Sequence, residues 1–91
     1  MGKLDDAAIR QALDGLKGWT LEGNAIKRQY TLASFPDAIA FVTRLAFDAE
    51  AADHHPDIAF GWGYAEIAFT THDRGGITDV DFALAEEVNL L

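Results

Sequence analysis

Ser34-Phe35-Pro36-Asp37-Ala38-Ile39-Ala40-Phe41-Val42-Thr43-Arg44-Leu45-Ala46-Phe47-Asp48-Ala49-Glu50-Ala51 is the stretch on which the fold turns. It opens as a helix should: a Ser N-cap, a carboxylate three residues on, and Pro in the first turn, where its missing N–H costs nothing. The helix runs to about Ala51, with Phe35, Ala38, Ile39, Val42, Leu45, Ala46 and Ala49 forming a stripe at i, i+3, i+4, i+7 spacing. Phe41 and Phe47 flank the stripe on opposite sides. That excess apolar surface either widens the core or feeds a subunit contact.

Each side of this helix carries two short strands and then another helix. Upstream, Asp5 to Leu16 places Ile9, Ala12, Leu13 and Leu16 at helical spacing, and Gly15 and Gly18 end the run. Trp19 to Glu22 reads as a strand, Gly23-Asn24 as a tight turn, and Ala25 to Leu32 as a second strand. Arg28 interrupts the apolar set Ile26, Tyr30 and Leu32, which predicts a face at an edge or half covered. Downstream, a His54-His55-Pro56 corner leads to strands at Asp57 to Gly61 and Gly63 to Thr71, then a loop at His72 to Gly76. Thr78-Asp79-Val80-Asp81 opens a last helix, with Val80, Leu84, Val88 and Leu91 as its ridge and Phe82 and Ala85 widening it. The order is α-β-β-α-β-β-α, and the hairpin-sized links predict antiparallel pairs, an α+β fold with helices over one sheet face. No repeat or linker divides residues 1–91, and a chain this short cannot bury two cores, so a single domain is expected.

Composition narrows the function. Seven basic residues against fifteen acidic ones give a net charge of −8, a poor match for DNA, RNA or an anionic membrane. No Gly-rich phosphate loop occurs, and the absence of cysteine removes disulfides and thiolate metal sites. The start turns acidic before any apolar run, and no run approaches the ~20 residues that cross a bilayer. The cytoplasm is the expected compartment.

The chemistry-bearing residues gather at element boundaries. His54 and His55 follow the long helix, His72 follows a strand, Glu50 lies one turn before the first pair, and Asp81 falls among the apolar residues of the last helix. Each has an ordinary explanation: helix-end capping for the adjacent histidines, a surface position for His72, solvent for Glu50, and capping of the Thr78 amide for Asp81. A zinc site is disfavoured, because neighbouring side chains in extended chain point opposite ways and no His-x-His or His-x-x-x-His pair exists. Ser34, the sole serine, is accounted for as an N-cap, so a Ser-His-Asp arrangement is not expected. What remains is proton transfer by imidazoles, which give and take protons near neutral pH and need no cofactor.

Glu50-Ala51-Ala52-Asp53-His54-His55-Pro56, followed at fixed spacings by Trp62, His72 and Asp81, resembles the signature of the pterin-4a-carbinolamine dehydratase family. Thr70-Thr71-His72-Asp73 with Gly75-Gly76, the Thr78 to Ala85 run, Gly18-Trp19 and the Phe35 to Glu50 helix are similar as well, so the resemblance spans the chain. It departs at Phe60-Gly61-Trp62-Gly63-Tyr64, where the family usually has Tyr at the hairpin, which bears on the sheet edge and on oligomeric state. The resemblance implies a four-stranded antiparallel sheet with helices on one face, in homodimers or homotetramers. It implies dehydration of 4a-hydroxytetrahydrobiopterin to quinonoid dihydrobiopterin, the step that follows turnover of an aromatic amino acid hydroxylase. By the same resemblance His54, His55 and His72 surround the pterin, His54 and His72 transfer protons, and His55 holds the 4a-hydroxyl. Glu50 and Asp81 orient imidazoles, while Asp53 and the backbone near Thr70 and Thr71 contact the ring. Some relatives of this family look like assembly scaffolds that have lost the histidines, so a binding or assembly module is the alternative; a dehydratase acting on another pterin is a third.

Overall fold

The computed structural model describes residues 2–91; Met1, where the acidic start begins, lies outside them. The elements follow the expected order: α1 (Asp6–Asp14), β1 (Thr20–Glu22), β2 (Ala25–Thr31), α2 (Phe35–Ala51), β3 (Asp57–Gly61), β4 (Tyr64–Phe69) and α3 (Asp79–Asn89), with a 3-10 turn at His72–Arg74. The strands form one antiparallel sheet in the order β1-β2-β4-β3.

Register decides what the sheet shows to each side. Ile26 pairs with Phe69, Arg28 with Ile67 and Tyr30 with Ala65, so these residues share the inner face, joined by Ile58 and Phe60 of β3. Ile26, Ala65, Ile67 and Phe69 are fully buried there, beneath Ile9, Phe41, Leu45, Phe82, Ala85 and Val88 of the helices. The opposite face carries Lys27, Gln29, Glu66 and Asp57; Lys27 lies 3.4 Å from Glu22 and 3.8 Å from Glu66. One covered face and one solvated face give the strict alternation seen in β4.

Two expectations need correcting. The buried stripe of α2 is Ala38, Phe41, Leu45 and Ala49, while Phe35, Ile39, Ala46 and Phe47 are exposed. The helix is apolar nearly all round, so periodicity alone does not fix which side faces the sheet. Leu91 lies beyond the end of α3 and is exposed, leaving Leu84 and Val88 to carry that ridge with Phe82 and Ala85. Of the two alternatives for the Arg28 face, the half-covered one is found: β2 is an inner strand and Arg28 is half-buried.

Arg28 belongs to a polar cluster that ties the two ends of the chain together. Its guanidinium lies 4.3 Å from the Tyr30 ring centre and donates to the Lys17 carbonyl (2.7 Å) and to Asn89 Oδ1 (2.8 Å). The same Asn89 oxygen accepts from Trp19 Nε1 (2.9 Å) and from the Tyr30 hydroxyl, and Asn89 Nδ2 donates back to Lys17 O (3.2 Å). Gly18, at φ 88, lets the chain pass beneath the guanidinium, where a β-carbon would sit 2.6 Å from its Nε.

Candidate active site

The corner after α2 is a helix stop that aims two imidazoles apart. The His54 N–H donates to Ala49 O and the Asp53 N–H to Glu50 O, both at 3.1 Å, the two bonds of a Schellman motif. That motif requires a left-handed residue after the cap, and here it is Asp53, at φ 50, where Gly is usual. The chain then leaves in extended form toward β3, so successive side chains diverge. His54 turns inward and His55 outward.

His54 packs against the sheet, its ring stacked on Phe69 at 6.2 Å and 12°. Its Nε2 donates to Asp81 Oδ1 at 2.6 Å; the His54 side chain is 14% exposed and that of Asp81 0%. Asp81 occupies the third position of α3, and its other oxygen, Oδ2, accepts from the Thr78 N–H (2.9 Å), completing a capping box. One oxygen of Asp81 thus caps the helix while the other accepts from an imidazole. Oδ2 also accepts from the Thr71 hydroxyl at 2.8 Å. Among the described residues no buried side-chain nitrogen or oxygen lacks a partner.

His55 Nε2 donates to Glu50 Oε1 at 2.7 Å across an exposed surface. The pair is solvated, so it contributes little to stability. His72 stands on the 3-10 turn after β4, across a cleft of about 270 Å³ lined by Asp53, His54, His55, Thr70, His72 and Asp73. A second cleft of about 270 Å³ shares Asp53, His54 and Asp73 and continues past Arg74 to Val80. The fold thus brings together His54, His55, His72, Asp53 and Thr70 at one opening, with Glu50 and Asp81 one contact behind. The Thr70 hydroxyl itself donates to Asn24 O at 2.5 Å. Thr71 borders the second cleft, with its hydroxyl bound to Asp81 and Thr78. Asp73, which the sequence offers only within the Thr70-Thr71-His72-Asp73 match and as a carboxylate of the disfavoured zinc site, lines both openings. Among the described residues no three of His, Asp and Glu are grouped to hold a metal ion, and no helix is long and apolar enough to cross a membrane.

At its open end the α+β sheet presents three imidazoles to one cleft, two of them tied to carboxylates. The family described as Pterin 4 alpha carbinolamine dehydratase matches residues 2–91, and this chain belongs to it, a family of hydro-lyases. The chain is 51% identical over 87 residues to a protein of Roseiflexus sp. (strain RS-1) provisionally named pterin-4-alpha-carbinolamine dehydratase, covering 96% of this chain and 94% of that one. A protein of the same name from Chloroflexus aurantiacus is 51% identical over 89 residues, covering 98% and 96%. Among solved structures, a transcriptional coactivator/pterin dehydratase from Brucella melitensis superposes with a TM-score of 0.93 at 30% identity, covering 98% of this chain and 97% of that one. A pterin dehydratase-like RuBisCO assembly factor of the alpha-carboxysome gives 0.64 at 23% identity, over 79% and 83%, a likeness of fold alone.

Proposed function

We propose that this protein dehydrates 4a-hydroxytetrahydrobiopterin to quinonoid dihydrobiopterin by histidine acid–base catalysis. The observation that carries the reading is the His54–Asp81 pair, at 2.6 Å, lining the same cleft as His55 and His72. Loss of water from the carbinolamine takes a proton from N5 and gives one to the 4a-hydroxyl. The C4a–O bond breaks and a C4a–N5 double bond forms. Two imidazoles, one neutral and one protonated, meet both needs near neutral pH.

In this reading His54 and His72 are the proton-transfer pair, and His55, steadied by Glu50, engages the 4a-hydroxyl. Asp53 and Thr70 border the pterin ring. The protein serves tetrahydrobiopterin regeneration after an aromatic amino acid hydroxylase has turned over, in the cytoplasm. It works as a homodimer or homotetramer: α2 leaves an apolar groove of about 410 Å³ along Val42, Ala46 and Phe47, a surface suited to a second copy.

The test supplies chemically generated 4a-hydroxytetrahydropterin and follows quinonoid dihydropterin formation. Acceleration over the spontaneous reaction, undiminished by chelators, is the expected result. A rate equal to the spontaneous one would shift the reading to an assembly module.

A further inference from the structure

We propose that Thr71 is a positioning residue for the dehydration, acting through Asp81 to fix which nitrogen of His54 faces the substrate. The role rests on His54 acting in the reaction proposed above. Thr71 follows β4, and its hydroxyl is buried between two partners, Asp81 Oδ2 at 2.8 Å and Thr78 Oγ1 at 2.9 Å. A hydroxyl has one proton, and a carboxylate oxygen only accepts. Thr71 therefore donates to Asp81, and Thr78 donates to Thr71, while Thr78 Oγ1 also accepts from the Val80 N–H at 3.3 Å. The chain of donors runs one way and ends on the carboxylate.

The consequence for Asp81 is geometric. The terminal torsion of an aspartate is broad, so a single capping bond from the Thr78 N–H leaves the carboxylate plane free to swing. A second bond to the same oxygen, from Thr71, fixes that plane and leaves Oδ1 aimed at His54 Nε2, 2.6 Å away. His54 is thereby held with its proton on Nε2 and its lone pair on Nδ1. No buried nitrogen among the described residues is without a partner, and Asp81 occupies Nε2, so Nδ1 stands open toward the cleft that His54 lines. The Thr71 backbone is bonded within the turn that follows β4. Its N–H donates to Gly76 O (2.9 Å) and its carbonyl accepts from the Arg74 N–H (3.1 Å).

The experiment joins kinetics to the ring-nitrogen resonances of ¹⁵N-histidine-labelled protein. In the wild type, His54 is expected to show a protonated Nε2 and a bare Nδ1. Thr71→Val, which removes the hydroxyl at similar volume, is expected to lower kcat about tenfold with KM within about twofold, and to mix the His54 tautomers. Thr71→Ser restores both. A protonated Nδ1 in the wild type overturns the proposal, as does a Thr71→Val enzyme whose KM rises while kcat holds, which makes Thr71 a substrate contact. Should Thr71→Val not fold, the wild-type tautomer and the Thr71→Ser enzyme decide by the same criteria. The resonances need no turnover: in a protein without dehydratase activity, an Nε2–H His54 that depends on the Thr71 hydroxyl upholds the clamp, and only the reaction assigned above falls.

Discussion

Asp53 bears two demands on one side chain. Its left-handed backbone closes the Schellman motif that separates His54 from His55, and its carboxylate lines the cleft. Asp53→Gly is therefore expected to hold or raise the melting temperature, because glycine takes this conformation without a β-carbon penalty, while weakening pterin binding. A drop in both would mean that the carboxylate also supports the fold. Asp81 is the reverse case, fully buried with three donors converging on it. Asp81→Asn turns part of that acceptor into a donor facing donors, and chemical denaturation should read a loss of about 1–3 kcal/mol together with a lower kcat. The histidines, Glu50 and Asp81 were legible in the sequence, because polar residues at element boundaries and a carboxylate among apolar neighbours stand out from the pattern. The burial of Thr71 was not. Threonine fits a strand end whether it faces a ligand or the interior, and only the position of Asp81 one helix away distinguishes the two.

Among the elements, the strands and caps followed from alternation, from the Ser34 N-cap, which accepts from the Asp37 N–H, and from the Thr78 capping box. The orientation of α2 did not follow, since Phe35, Ile39, Phe41, Val42, Leu45 and Phe47 leave no wholly polar side to point outward. Contact with β3 and β4 selects Phe41 and Leu45 for the core. The Asn89 cluster was also hidden, because its members are separated by up to 72 residues. It clamps the end of α3 to β2 and to the chain before β1. Asn89→Ala leaves the Trp19, Arg28 and Tyr30 donors without their shared acceptor, and urea denaturation should show a loss of about 2 kcal/mol. Burial, partly opposed by the Arg28 charge, raises the Tyr30 phenol above its ordinary value of 10.0. A phenol raised in the folded state contributes stability that is full below the unfolded value and lost as pH climbs through the folded one. Stability should thus fall above about pH 10, and Tyr30→Phe should fall less over that window; parallel alkaline profiles would remove Tyr30 as a cause.

At the scale of the whole molecule, a sheet covered on one face sets its site at the open end, where α2 stops, β4 turns and α3 begins. That layout needs only three short boundaries to be held accurately, and the core of Ile26, Ala65, Ile67 and Phe69 holds them. Outside the core, Phe47 is 72% exposed beside Val42 and Ala46. If that face joins copies of the chain, Phe47→Glu should lower the mass measured by light scattering while the monomer keeps its circular dichroism. An unchanged mass would place any association elsewhere. The central claim is that the carboxylate-paired imidazole of His54 moves a proton in the dehydration of a pterin carbinolamine. Its most direct test compares the wild type with His54→Ala on chemically generated 4a-hydroxytetrahydropterin, reading quinonoid product formation above the spontaneous rate. The account predicts acceleration by the wild type and a loss of about 10²–10⁴ in that rate for a folded His54→Ala. A folded variant that keeps the wild-type rate would contradict it.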